Sequence, residues 1–187
     1  MASIITATVS SGLTQQADNS GVLQLASGVG NLVTVPSVTG TAMVSGNMPA
    51  FSARATTGQS VSSGTFTKVT FGTEDFDTNN NFASSTFTPT VAGYYQVNCT
   101  ACCYASSTIT RAINALYKNG SVLERVSDIQ TGAGTFITTS GSALVYMNGT
   151  TDYLEVYVWI NGSGSLQVST ATIGESSRFS ACLARAA

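Results

Sequence analysis

The sequence is poor in the residues that enzymes use for chemistry. It contains no histidine, and only 9% of its 187 residues are charged, against roughly a quarter in ordinary soluble domains. It contains neither a nucleophile elbow nor a pair of carboxylates in distinguishable environments. We therefore expect no catalytic residues, no cofactor and no enzymatic activity.

Positive charge is scarce and scattered. The sequence has seven Lys and Arg and nine Asp and Glu, for a net charge of -2. The basic residues are scattered, so they form no basic stripe for a phosphate backbone and no polybasic segment for a membrane surface. No apolar run approaches membrane-spanning length. The opening MASIITATVSSG has neither a basic start nor an unbroken apolar stretch, so we predict no signal peptide. We expect no nucleic-acid partner, no membrane insertion, and assembly in a cytoplasm.

The four cysteines do not form a convincing metal or redox motif. Cys99 and Cys102 have C-x-x-C spacing, but in an extended strand positions three apart face opposite ways. We predict small buried side chains with reduced thiols. Cys99 and Cys103 share a face, and Cys182 could lie beside one of them.

The stretch DYLEVYVWING, residues 152–162, alternates two kinds of side chain as an extended strand requires. One face is apolar and predicts a core: Leu154, Val156, Val158 and Ile160. The other face is too aromatic to sit comfortably in water and too polar for a second ordinary core: Tyr153, Glu155, Tyr157 and Trp159. The pattern predicts that something covers this second face.

Strand signals continue through most of the chain after Pro49, and no stretch shows a helical period. Three connections are Asn-Gly pairs, at Asn119, Asn148 and Asn161, which favour the positive φ angles of tight hairpins. Ten short antiparallel strands predict an all-β, two-sheet sandwich, of which the jelly roll is a common form. The predicted strands are Ala50 to Arg54, Thr65 to Phe71, Ser84 to Thr88, Gly93 to Ala105, Arg111 to Lys118, Ser121 to Arg125, Thr135 to Met147, Asp152 to Ile160, Ser165 to Thr170 and Arg178 to Arg185.

The first 48 residues read as an extended, β-rich arm, and residues 49–187 as a compact head. The arm is rich in Ser, Thr and Gly, and its apolar bursts are too short and too far apart to bury themselves in a private core. We expect them to anchor the arm on another surface. The candidate anchoring residues are Val22, Leu23, Leu25, Leu32, Val33 and Val35.

The head carries a recognisable spacing. Phe71, Asp77, Phe82 and Phe87, followed by Gly93-Tyr94-Tyr95, resemble the signature of the complement globular-head domain, a relative of tumour necrosis factor. The opening AFSARATTG and the closing SRFSACLARAA are similar to that family's first and last strands. The interval between Phe82 and Phe87 is four residues where the family usually has six, which shortens a loop. Val97 and Cys99 stand where the family usually has aromatic residues, so smaller side chains fill those core positions.

This resemblance implies a ten-stranded jelly roll that forms a tight homotrimer used for display and binding. It suggests that the aromatic face of Tyr153, Tyr157 and Trp159 meets two further copies of the chain, since Tyr and Trp are favoured at interfaces. Tyr95 and Tyr104 flank a further candidate interface strand. The alternative is that the three β-strand aromatics pack under a loop of their own chain.

The arm carries a second resemblance. ATVSSGLTQQADNSGVLQLASG, residues 7–28, and the following NLVTVPSVTGTAMV are similar to amino-terminal segments of tailed-phage virion proteins. The two resemblances together imply a structural virion protein, a capsid decoration or cement protein or a fibre protein, whose arm binds a capsid or tail protein. The alternative is a receptor-binding fibre tip that recognises host surface glycans.

A calcium site is the remaining chemical candidate. Asp75 and Asp77, with the neighbouring Glu74, offer oxygen ligands at alternate positions, but the pattern lacks the glycine and the final carboxylate of a calcium loop, where Thr86 stands. We expect a solvated loop in which Asp77 caps a turn. Calcium stays open as an alternative because related heads bind it.

Overall fold

The structure is a computed structural model, and it describes residues 23–26, 32–35, 46, 48–168 and 177–187. The chain divides into two compact units, Met1–Ala42 and Met43–Ala187. In the described part of the first unit, β1 (Leu23–Ala26) pairs antiparallel with β2 (Leu32–Val35). The register places Leu23 opposite Val35 and Leu25 opposite Val33. Of the predicted anchoring residues, Val22 lies outside the described residues.

The second unit consists of antiparallel strands, which confirms the all-β prediction. Its strands are β3 (Ala50–Arg54), β4 (Gln59–Val61), β5 (Thr67–Lys68), β6 (Thr73–Asp77), β7 (Phe82–Ala83), β8 (Thr86–Phe87), β9 (Gly93–Lys118), β10 (Ser121–Met147), β11 (Leu154–Ser163), β12 (Leu166–Val168) and β13 (Arg178–Ala186). Four predicted strands are joined into the long β9 and β10. The short β4, β6 and β7 were not predicted.

The long strand β9 connects two layers. Residues 93–104 of β9 pair with residues 136–147 of β10 on one side. On the other side residues 93–100 pair with β13, which continues to β3 and β6. We call this the first layer. Residues 108–118 of β9 pair with β11 and with residues 121–130 of β10, and β11 continues to β5 and β8. We call this the second layer.

One apolar core fills the space between the layers. Phe51 of the first layer stacks on Phe87 of the second with ring centroids 4.5 Å apart, and on Phe82 at 4.6 Å. Phe179 meets Phe51 edge to face at 4.9 Å. The predicted core face of β11 is confirmed, because its four apolar side chains are fully buried: Leu154, Val156, Val158 and Ile160.

The Asn-Gly prediction is right at Asn119-Gly120, right in part at Asn148-Gly149, where only the glycine has positive φ (72°), and wrong at Asn161-Gly162. Asn119 and Gly120 both have positive φ, 53° and 77°, in the turn between β9 and β10. At Asn148, the side-chain oxygen instead accepts bonds from the next turn's backbone, including the Asp152 N–H at 3.0 Å. Asn161-Gly162 lies inside β11 at a register shift and forms no hairpin, because β12 continues along β9 in the same direction as β11.

The cysteine prediction is confirmed in part. Cys99 and Cys103 lie in the core, and burial raises the pKa of each thiol to about 12. Cys182 does not lie beside either of them, because the register pairs Phe179 with Cys99 and leaves Cys182 opposite Gln96. Its side chain is exposed.

Candidate interaction face

The aromatic face of β11 is half-buried by neighbouring strands of its own chain. The Tyr157 ring stacks on Tyr117 of β9 at 3.9 Å, and the Arg111 guanidinium lies 5.7 Å from the Trp159 ring centroid. Burial and then the charge of Glu155 raise the pKa of Tyr157. These contacts are intramolecular, as the alternative to a trimer interface predicted, although neighbouring strands rather than a loop make them. The predicted interface at Tyr153, Tyr157 and Trp159 stays a prediction.

Two salt bridges occupy the charged groups on the same face of the second layer. Lys68 Nζ lies 2.7 Å from Glu155 Oε1. Arg111 forms a two-pronged ion pair with Asp128 at 2.7 and 2.6 Å, which lowers the pKa of Asp128 and raises that of Arg111. The face is therefore a mixture of rings and paired charges.

Tyr95 was wrongly predicted as an interface residue. Its ring is fully buried and packs edge to face on Phe87 at 5.5 Å, and its hydroxyl donates to the Val91 carbonyl at 2.7 Å. Burial raises the pKa of Tyr95 to about 12. Because side chains alternate along β9, the neighbouring Tyr94 points outward instead and is 43% exposed.

The exposed apolar surface is concentrated on the first layer and along β10. Six of the ten large hydrophobic side chains that are exposed in the described residues lie on β10. Tyr94 sits opposite Tyr146, with ring centroids 5.5 Å apart, and Leu144 is 61% exposed. At the other end of the strands, the predicted Tyr104 is exposed opposite Phe136.

Between these two apolar ends, the outward positions of β9 and β10 carry uncharged side chains, while Arg178 of β13, opposite Thr100, is ion-paired with Asp75. Thr100 and Ser140 share a hydrogen bond of 3.1 Å. Such side chains let another surface approach closely without stripping water from a charge. We call this surface the outer face of the first layer. One aromatic end contains Tyr94 and Tyr146, and the other contains Tyr104 and Phe136. The centre is formed by Ser52, Asn98, Thr100, Ser140, Ser142 and Ser180.

The candidate calcium carboxylates are engaged by protein donors. Asp75 accepts from Arg54 at 2.7 Å and Arg178 at 3.1 Å, so a cation there would have to displace two guanidinium groups. Asp77 caps the turn as predicted, accepting from the Phe82 N–H at 2.7 Å. The segment is strand β6 rather than a solvated loop. The described residues contain no group of three or more His, Cys, Asp or Glu that could hold an ion.

Solved structures share this architecture. The globular domain of zebrafish complement 1qA protein has a TM-score of 0.53 and 18% identity, covering 74% of this chain and 99% of that chain. Murine APRIL has a TM-score of 0.54 and 9% identity, covering 73% and 98%. No family model and no curated protein matches the chain. The chain therefore has the jelly-roll fold of C1q and tumour necrosis factor-like domains, which confirms the fold that the first resemblance implied.

No helix among residues 23–26, 32–35, 46, 48–168 and 177–187 is long and apolar enough to span a bilayer.

Cys182 offers a direct probe of the outer face of the first layer. Its thiol is exposed in the single chain, whereas Cys99 and Cys103 are buried with raised pKa values. If this face packs against a second copy, a maleimide should label Cys182 at least about tenfold more slowly in assembled protein than in a dissociated variant, since labelling needs an accessible thiol. Mass spectrometry after timed quenching gives the rates, and Cys182→Ser is the control. Equal rates in both forms would place this face outside any interface.

Proposed function

We propose that this chain is a structural virion protein of a tailed bacteriophage, assembled in the host cytoplasm. In this proposal it is a trimeric capsid decoration or cement protein, or a fibre protein, whose arm binds a capsid or tail protein and whose jelly-roll head projects outward. The observation that carries the proposal is the outer face of the first layer, whose β9 and β10 positions are uncharged and end in exposed aromatic rings. The arm's resemblance to virion proteins and the separate first unit support the anchoring role.

The trimer contact belongs on the first layer rather than on β11. The first layer exposes Leu144 at 61% and Tyr146 at 44%, whereas the rings of Tyr157 and Trp159 are half-covered by their own chain. Association removes apolar surface from water in proportion to the area exposed beforehand. The surface with the larger exposed apolar area therefore gains more from a second copy.

Particle experiments test the role directly. Phage particles that lack this protein are expected to adsorb normally but to release DNA at lower temperature or lower salt than complete particles. Adding back the full chain should restore stability, whereas a head without residues 1–42 should not. Particles that stay intact without the protein would contradict a decoration role.

A receptor-binding fibre tip is the second candidate. It is favoured by the outer face of the second layer, where the half-exposed Trp159 and Tyr157 lie beside paired polar groups, because aromatic rings with hydrogen-bonding neighbours suit sugars. Self-association through the first layer would leave this face available. Intact particles that fail to adsorb to host cells, and a Trp159→Ala variant that loses binding to isolated host glycans, would favour this function.

A further inference from the structure

A groove runs between the two halves of β10 at the open edge of the sandwich. Its volume is about 360 Å³, and apolar walls are formed by Leu123, Leu144 and Val145. Lys118 and Glu124 supply its charged groups. The groove adjoins the aromatic end of the outer face of the first layer, because Tyr146 belongs to both.

The two charges of the groove are in different situations. Lys118 Nζ is engaged by Asp152 Oδ2 at 2.8 Å and by the Tyr146 carbonyl at 2.7 Å. Glu124 has no ion-pair partner among the residues that the structure describes. Glu124 is exposed in the single chain, and its attraction for a cation would strengthen where a second copy excludes water from the groove.

Arg185 is the complementary group at the same level of the strands. It is exposed and likewise forms no ion pair within the described part of the chain. The register places Arg185 opposite Tyr94, and Tyr94 opposite Tyr146. Arg185 is therefore two strand spacings, about 10 Å, from the strand that borders the groove. Arg125, the other basic residue without an ion pair there, lies over the Phe66 ring instead.

Cyclic symmetry makes these two groups meet between copies. In a ring of identical subunits, each interface joins two different surfaces of the chain. Rotation about the symmetry axis does not change the position of a residue along that axis. If the axis runs along the strands, the β10 edge of one copy meets the β13 region of the next at the level of the Tyr94–Tyr146 pair. We infer that Arg185 of one copy enters the groove of the next copy and pairs with Glu124. This inference rests on the proposed self-association and names the polar contact that sets its register.

Charge reversal tests the pair. Glu124→Lys and Arg185→Glu should each raise the concentration at which half of the assembly dissociates by about tenfold or more, because a like charge replaces an opposite one. The double variant should return to within about threefold of wild type. Analytical ultracentrifugation over a concentration series gives these values, and the milder Glu124→Gln and Arg185→Gln keep the test open if a reversal prevents folding.

The outcomes separate this inference from the proposed function. Two results would overturn the Glu124–Arg185 pair and leave self-association intact, provided that the wild type assembles. In one, the single reversals do not change the dissociation concentration; in the other, the double variant loses as much assembly affinity as the two single variants combined. A wild type that is monomeric at all concentrations would overturn both. Added salt should weaken the wild-type assembly more than it weakens the Glu124→Gln assembly.

Discussion

Leu144→Asp is expected to convert the assembled head into monomers. Leu144 is 61% exposed in the single chain and lies on the outer face of the first layer. In the proposed trimer an aspartate would be buried without a partner in every interface, at a cost of several kcal/mol each. The isolated chain should tolerate the change, since the position faces water. Light scattering coupled to size-exclusion chromatography measures the mass.

Two comparisons make the result specific to that face. Val122→Asp is the matched control, because Val122 is 49% exposed on the same strand but belongs to the second layer; it should leave the mass unchanged. Trp159→Ala should also remain assembled. If the Trp159 variant dissociates and the Leu144 variant does not, the interface lies on β11 as the sequence first suggested.

Phe51→Ala is expected to cause the largest loss of stability. The Phe51 ring is 1% exposed and contacts three other phenylalanine rings within 4.9 Å of its centroid. Removing such a ring costs about 3–5 kcal/mol through lost burial and the remaining cavity. For a domain of this size that lowers Tm by roughly 6–20 °C. Circular dichroism at fixed protein concentration follows the transition.

Phe76→Ala is the control for the same chemical change. Phe76 is 52% exposed on β6, so its truncation should move Tm by only a degree or two, within the usual range for surface positions, roughly 0.5 kcal/mol. Equal losses at Phe51 and Phe76 would contradict the assignment of the core between the two layers.

Local alternation predicts which side of a strand is buried, and here it did so well. The apolar face of β11 is the core face, and Cys99 and Cys103 share the core as their spacing indicates. Alternation also held at Gly93-Tyr94-Tyr95, but both tyrosines suit a core or an interface, so only the packing of Phe87 on Tyr95 reveals which one turns inward.

Alternation cannot tell which layer a strand joins. Nothing within residues 152–162 shows that β11 pairs with residues 108–118 of β9 and not with residues 93–105. The outward-facing positions Ser142, Leu144 and Tyr146 of β10 alternate with the inward-facing Ala143 and Val145, which is the local pattern of an exposed strand face. Strand β6 was missed because its acidic residues resemble a loop, whereas Arg54 and Arg178 on adjoining strands neutralise Asp75.

The passage of β9 and β10 through both layers has a mechanical consequence. The backbones of β9 and β10 are each continuous from one layer to the other. Neither layer can therefore unfold without breaking hydrogen bonds of the other layer. Regions of a protein open separately only where few bonds cross between them. The head should therefore unfold as a single cooperative unit, which would protect it from proteases that cleave locally opened segments.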